Sequence, residues 1–189
     1  MSTASANRVK EIEEQILALK NELLEARKAA GSELVDDWEL TGLDGNPVRL
    51  SQLFGDQEDL FVVHNMGAGC SYCTLWADGF TSYYRFLSQR AAFVLCSADP
   101  APAAKTFSEK HGWNYPVVSG HGSKFAEAMG YTGEDGSPWP GVSAFHKNDD
   151  GSIVRTGHAP FGPGDDFCPV WPFFDLLQDG ANGWEPSSR

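Results

Sequence analysis

Apolar residues near the start of the chain recur with the period of an amphipathic helix. Their spacing alternates between three and four residues until Gly31 ends the pattern. The positions concerned are Val9, Ile12, Ile16, Leu19, Leu23, Ala26 and Ala30. A heptad pattern of this kind predicts a separate amphipathic helix over residues 1–30.

Two features of this helix bear on what it packs against. Glu22 and Arg27 take heptad positions at which a parallel partner helix would pair them, which favours a homodimer. Leu17 and Leu24 widen the apolar stripe, which is typical of a helix packed on a globular body. Both interpretations stay open at this point.

After Gly31, short apolar runs alternate with helical patterns, as in an α/β domain. The predicted strands are Leu34–Leu40, Val48–Leu50, Leu60–Asn65, Ala92–Ser97, Val117–Ser119, Val142–His146 and Ile153–His158. The predicted helices are Ser51–Phe54, Cys70–Arg90, Asp99–His111, Ser123–Met129 and Phe173–Gln178. This order predicts a mixed sheet with helices on both faces over residues 34–178, followed by a flexible tail over 179–189.

The charge of the chain narrows the range of partners. Fourteen Lys and Arg residues face 26 Asp and Glu residues, a net charge of −12, and the first 30 residues carry equal numbers of both signs. An acidic domain argues against binding nucleic acid or an anionic membrane, since both attract a basic surface. The sequence shows neither an export segment nor a long apolar run, so we expect a cytoplasmic protein.

The strongest chemical signal is the CxxC motif formed by Cys70 and Cys73, where a predicted strand meets a predicted helix. Residues i and i+3 of a first helical turn lie roughly 5–6 Å apart, which suits a disulfide. Unpaired N–H groups and the helix dipole at that end lower a thiol pKa from about 8.5 to about 3.5–7.5, so Cys70 is the predicted nucleophile. Cys73, one turn inside the helix, would be shielded from solvent and would attack second, resolving the mixed disulfide formed on Cys70.

Metal binding is the alternative interpretation of the same cysteines. A closed zinc site needs four ligands, but Cys96 and Cys168 have no companion motif and are expected to be buried small hydrophobes. Copper suits soft sulfur together with imidazole. Its ligands would be His64, Met66, Cys70 and Cys73.

The segments Asp44–Leu53 and Gly69–Asp78 resemble the thioredoxin superfamily, particularly its peroxiredoxin-like branch. The second segment is closer still to the bacterial thioredoxin-like proteins of domain of unknown function 899, which are predicted dithiol–disulfide oxidoreductases. That family also has a charged N-terminal helix and counterparts of several short motifs of this chain. These motifs are His111-Gly112-Trp113, Ser119-Gly120-His121-Gly122-Ser123 and Pro140-Gly141-Val142-Ser143.

The resemblance implies a thioredoxin-like fold with Cys70 as nucleophile and Cys73 as resolving thiol, and it implies no organic cofactor. The partner would be a disulfide or dithiol, on a protein or on a small molecule. By the same resemblance, the loop that contacts substrate would involve Trp76, Pro140, Gly141 and Val142.

The chain departs from peroxiredoxins just before the motif. That group has Pro and Thr seven and three residues ahead of its peroxidatic cysteine, whereas Val63 and Gly67 precede Cys70 at these distances. Without the threonine hydroxyl, this position offers no side-chain hydrogen-bond donor that would polarise a bound peroxide. We therefore expect thiol–disulfide exchange, with a peroxide reductase or a non-catalytic module that binds copper or a protein partner as alternatives.

Overall fold

The computed structural model describes residues 3–187. The chain divides into two compact units, and the boundary along the sequence lies between Glu33 and Leu34. Helix α1 (Thr3–Ala29) lies in the first unit and confirms the predicted N-terminal helix. No helix within the described part of the chain combines the length and the apolar character needed to cross a membrane.

Helix α1 carries a row of exposed apolar side chains. Val9, Ile12, Ile16, Leu19 and Leu23 each expose between 40% and 63% of their surface. Ion pairs three residues apart join other side chains along the helix, and Arg27 and Lys28 lie in the last turn, where positive charge complements the helix dipole. The helix therefore presents an apolar stripe flanked by charge.

The second unit is built on one eight-stranded sheet. Its strands are β1 (Glu33–Val35), β2 (Glu39–Gly42), β3 (Pro47–Arg49), β4 (Asp59–Asn65), β5 (Ala92–Ser97), β6 (Val117–Ser119), β7 (Gly141–Lys147) and β8 (Ile153–Pro160). They are arranged in the order β1-β8-β7-β4-β5-β6-β2-β3. Strands β4, β5 and β6 are parallel, while β7 and β2 pair antiparallel with β4 and β6. Apolar runs form the parallel centre because a strand covered on both faces must be apolar throughout.

Helices cover both faces of this sheet, which confirms the predicted architecture. They are α2 (Leu50–Leu53), α3 (Ser71–Leu87), α4 (Ala101–His111), α5 (Phe125–Ala128) and α6 (Val170–Phe174). Helices α2 and α5 contribute Leu50 and Phe125 to the core on one face. Helices α3 and α6 contribute Trp76 and Trp171 to a second core on the opposite face.

The prediction of one strand over Leu34–Leu40 was wrong. The segment forms two strands, β1 at one edge of the sheet and β2 beyond its centre. Between them Asp37 accepts hydrogen bonds from the backbone N–H and the hydroxyl of Ser51, at 2.7 and 2.8 Å. The Trp38 N–H also donates to the Asp36 carbonyl at 2.9 Å, and this tight backbone turn interrupts the strand.

The last helix also differs from its prediction at Phe173–Gln178, because it spans Val170–Phe174. Pro172 is tolerated there since the first-turn N–H groups of a helix have no intrahelical acceptor. Burial of Trp171 in the second core fixes the position of this helix. In the segment expected to be a flexible tail, the Trp184 ring packs against the rings of Trp171 and Phe174.

The stripe on α1 leads to a first prediction. Leu23 lies at a heptad core position and Leu24 beside it, and the two are almost equally exposed at 47% and 50%. If the stripe joins two copies of the chain, Leu23→Glu should place a charge in the seam and raise the dissociation constant of the dimer at least about tenfold, a cost of ~1.4 kcal/mol. Sedimentation equilibrium of the full-length protein measures this constant.

Leu24→Glu is the matched control, because it introduces the same charge outside the seam. It should leave the association unchanged. Unaltered protein that is already monomeric at micromolar concentration, or equal effects of both variants, would contradict a heptad dimer.

Candidate functional site

The CxxC motif lies at a tight corner that joins strand β4 to helix α3. Asn65, the last residue of β4, accepts the Gly67 N–H at 2.8 Å, and its side-chain amide donates to the Cys73 carbonyl at 3.4 Å. From the loop after β5, the Asp99 carboxylate accepts the Ala68 N–H at 2.7 Å. The end of β4 and the loop after β5 therefore stabilise the corner from which α3 begins.

Gly67 is required at this corner for two reasons. Its φ of +96° lies in the region that favours glycine. In addition, a Cβ atom at this position would lie 2.5 Å from Oδ1 of Asp99, far inside van der Waals contact. A larger residue would push the Asp99 carboxylate away from the Ala68 N–H.

Cys70 is the N-cap of α3, as the motif analysis predicts. Its half-exposed Sγ accepts the Cys73 backbone N–H at 3.1 Å. A hydrogen bond from the Cys73 side chain lowers the pKa of Cys70 to about 6, and the backbone N–H groups of Cys73 and Tyr72 act in the same direction against the opposing effect of burial. Cys70 is therefore mostly a thiolate at neutral pH.

Cys73 has the opposite electrostatic environment. Its hydrogen bond to Cys70 raises the Cys73 pKa, and burial and the negative charge of Cys70 raise it further, although the Met66 N–H opposes them. Only 2% of Cys73 is exposed. At neutral pH the pair therefore carries a single proton. This proton lies on Cys73, and Cys70 carries the negative charge.

The other two cysteines are buried, as expected for small hydrophobes. Cys96 and Cys168 are 5% and 4% exposed and belong to the cores on opposite faces of the sheet. Burial raises the pKa of Cys96 to about 12 and also raises the pKa of Cys168. All four cysteines are free thiols.

The structure brings three of the four substrate-loop candidates to the sheet edge where β4 ends. Pro140 directly precedes β7, and Gly141 and Val142 begin that strand, with Gly141 paired to His64. A Cβ atom on Gly141 would collide with the Tyr131 ring. The absence of a side chain therefore lets Tyr131 lie over the strand and stack on His64, with ring centroids 4.0 Å apart.

Trp76, the remaining candidate, is not part of a loop. It lies in the second turn of α3, is 3% exposed and packs against Tyr72 and Phe161. The spacing explains this placement: three residues after Cys73, its side chain follows the apolar side of the helix into the second core.

His64, one of the four residues considered for copper, lies apart from the two cysteines. His64 packs between Phe125 and Tyr131 on the face of the sheet opposite to α3, whereas Cys70 and Cys73 lie at the start of α3. Within residues 3–187, no three His, Cys, Asp or Glu side chains are grouped so that they could hold a metal ion.

Sequence reasoning missed the residues that support the site. Asn65 was noted only as the end of a strand and Asp99 only as the start of a helix, yet both hold the corner. Asp78 was also missed. Its carboxylate accepts from Nε1 of Trp113 at 2.7 Å and lies 3.0 Å from Nδ1 of His111, which ties α3 to the end of α4.

Comparison with known proteins places this geometry in context. The chain matches the family model described as bacterial protein of unknown function (DUF899) over residues 4–187. No curated protein sequence matches it significantly. The crystal structure of peroxidoxin BcpB from Mycobacterium tuberculosis is similar at 26% identity, with a TM-score of 0.54 over 69% of this chain and 84% of that chain.

Two more distant structures share the fold alone. Enterococcus faecalis AhpC has 13% identity and a TM-score of 0.57, covering 84% of this chain and 98% of that chain. Reduced Prx3 of Vibrio vulnificus in complex with hydrogen peroxide has 14% identity and a TM-score of 0.56, covering 71% and 89%. These similarities confirm the thioredoxin-like, peroxiredoxin-like fold.

The shared proton between the two thiols leads to a prediction about pH. Alkylation of Cys70 by iodoacetamide should be fast above pH 6 and should slow about tenfold per pH unit below it, because only the thiolate reacts. Cys73→Ala removes the S–H donor and should move the midpoint upward. Peptide mass spectrometry of the quenched reaction measures the rate at each cysteine.

Cys73→Ser provides the matched comparison, since its hydroxyl can still donate to the Cys70 thiolate. Its midpoint should lie below that of Cys73→Ala. A native midpoint above about 8, as for an ordinary thiol, or a midpoint that Cys73→Ala leaves unchanged, would show that Cys73 does not stabilise the charge.

Proposed function

We propose that this chain, which belongs to the bacterial DUF899 family, is a thiol–disulfide oxidoreductase in which Cys70 attacks and Cys73 resolves. The observation that carries the proposal is the asymmetry of the pair. Cys70 is half exposed with a lowered pKa, and Cys73 is buried with a raised one. A disulfide exchange enzyme needs one thiol that attacks the substrate disulfide and a second that reacts only after the mixed disulfide has formed.

In the first step the Cys70 thiolate attacks one sulfur of a substrate disulfide. A bond forms between Cys70 and that sulfur, and the original disulfide bond breaks, so that the other substrate sulfur leaves as a thiolate. Cys70 is partly exposed at the start of α3, which makes this attack sterically possible. No other cysteine of the chain combines exposure with a lowered pKa.

The second step follows from the loss of charge on Cys70. Once Cys70 is in a mixed disulfide, its hydrogen bond with Cys73 and its negative charge no longer raise the Cys73 pKa. Burial still raises this pKa, and the Met66 N–H still lowers it. Cys73 can then give its proton to the departing thiolate and attack Cys70. The products are the Cys70–Cys73 disulfide and a second substrate thiol.

The overall exchange is balanced in electrons and protons. Two protein thiols are oxidised to one disulfide, and one substrate disulfide is reduced to two thiols. An external dithiol restores the reduced pair by the reverse steps, and no organic cofactor takes part.

Peroxide reduction is the second candidate, because the neighbour with 26% identity is named a peroxidoxin. The corner residue Gly67 argues against it. Peroxiredoxins resemble this chain but have Thr three residues before their reactive cysteine, and here Asp99 occupies the space that any side chain at Gly67 would need. Without a hydroxyl at that position, the donor that would polarise peroxide is missing.

The order of attack can be tested by a single turnover with bis(2-hydroxyethyl) disulfide. The reduced protein should release two thiols and form an internal disulfide. Cys73→Ser should release one thiol and accumulate the mixed disulfide on residue 70, because attack occurs without resolution. Cys70→Ser should slow thiol release at least about a hundredfold. Intact mass and thiol titration report all three outcomes.

Cys96→Ala is the matched control, since it removes a buried thiol of raised pKa and should react like the unaltered protein. Hydrogen peroxide given to the same samples separates the two candidates. Oxidation of Cys70 at the rate of an ordinary thiolate supports exchange. A rate orders of magnitude higher would establish the peroxidase, and equal slow reaction of both thiols with the disulfide would favour a non-catalytic module.

A further inference from the structure

Helix α1 has an apolar face that is exposed along its length. Every side chain from Ser5 to Ala29 is exposed, and the large apolar residues of the heptad pattern, from Val9 to Leu23, are at least 40% exposed. A single helix is only marginally stable in water and is stabilised mostly by the packing of its apolar face. An apolar face of this length therefore indicates a packing partner.

The apolar face has the width of a coiled-coil seam. Between residues 8 and 27, the heptad positions that flank the seam hold only polar side chains. These are Arg8, Gln15 and Glu22 at position g, and Glu13, Lys20 and Arg27 at position e. Leu17 and Leu24 lie at position b, about 130° around the helix from the middle of the seam at 3.6 residues per turn, so a partner seated on the seam leaves both exposed. A stripe confined to positions a and d is typical of a coiled coil, whereas a helix on a globular core has a wider apolar face.

The charges beside the seam are complementary in a parallel pair of α1 helices. In a parallel coiled coil, a residue at position g contacts the residue five places further along the partner helix, at position e. Glu22 then meets Arg27 of the second copy, and Arg8 meets Glu13 of the second copy. The third such pair has an uncharged glutamine on one side. No pair therefore brings like charges together, and two-fold symmetry forms each attractive pair twice.

Most of these flanking charges have no partner within the single helix. On the outer side of α1, ion pairs form within the chain and join Lys10 to Glu14 and Glu25 to Lys28. Arg8 also has an exposed ion pair, with Glu11 at 3.1 Å. Within residues 3–187, no hydrogen bond or ion pair engages the side chains of Glu13, Glu22 and Arg27. The outer charges are thus paired by the helix itself, whereas the charges beside the seam are available to a second chain.

We propose that α1 is a dimerisation helix that pairs in parallel with α1 of a second copy of this chain. The apolar residues at positions a and d form the buried seam. The pairs between Glu22 and Arg27 and between Arg8 and Glu13 determine the parallel orientation and the choice of an identical partner. Each dimer then carries two dithiols, and its formation does not depend on whether those dithiols exchange disulfides.

Exchange of the seam charges tests the proposal on the full-length protein, kept reduced so that no disulfide joins two chains. Glu22→Arg and Arg27→Glu each turn two symmetric attractions into repulsions, so each should raise the Kd of the dimer at least about fivefold in sedimentation equilibrium. An equimolar mixture of the two variants should dimerise as tightly as the unaltered protein, because residue 22 of each chain again faces an opposite charge at residue 27 of the other. The double variant, with both substitutions in one chain, should recover the same Kd.

Glu14→Arg is the matched control, because it reverses the same charge on the outer side of α1, where Glu14 pairs with Lys10 of its own helix. It should leave the Kd unchanged. Recovery in the mixture requires residues 22 and 27 to face each other, and in an antiparallel pair position g faces g and position e faces e. A mixture and a double variant as weak as the single variants would therefore overturn the parallel pairing. Equal weakening by Glu14→Arg, or unaltered protein that stays monomeric throughout the micromolar range, would overturn the proposal as a whole.

Discussion

The Asp99 carboxylate accepts the Ala68 N–H at 2.7 Å, and this charge-assisted hydrogen bond holds the corner between β4 and α3. Hydrogen bonds to charged groups contribute roughly 1.5–3 kcal/mol, which is enough to hold a short glycine-rich segment in one conformation. The bond fixes where α3 begins, and the start of α3 determines which cysteine is the N-cap. A residue in the loop after β5 therefore supports the start of α3, where Cys70 lies.

The central sheet separates the dithiol from a cavity of about 390 Å³ whose lining includes His64, Met66 and Asp99. Strands β4, β5 and β6 end at the same edge, where their loops must diverge to the two faces. The chain after β4 turns towards α3 on one face, while His64 faces the other. Asn65 and Met66 line the cavity, and the Met66 N–H also stabilises the Cys73 thiolate, so a single short segment borders both sites.

Local sequence patterns predicted the fold and the position of Cys70 at the start of a helix because both depend on short-range rules. A CxxC motif between an apolar run and a helical pattern places Cys70 at a helix start whatever the rest of the fold is. The break after Val35 was missed because it depends on Asp37 reaching Ser51, a contact between residues distant in sequence. Trp76 was assigned to the substrate loop by resemblance alone, although its spacing from Tyr72 and Cys73 on α3 already places it on the apolar side of that helix.

The central claim is that Cys70 and Cys73 act as one two-electron redox pair. Equilibration of the full-length protein with graded ratios of reduced and oxidised glutathione, followed by acid quenching and peptide mass spectrometry, measures this directly. The account predicts one transition in which the Cys70–Cys73 disulfide replaces both thiols together, with a tenfold change in the equilibrium per ~30 mV. A stable glutathione adduct on Cys70 beside a free Cys73, or two free thiols at every ratio, would contradict it.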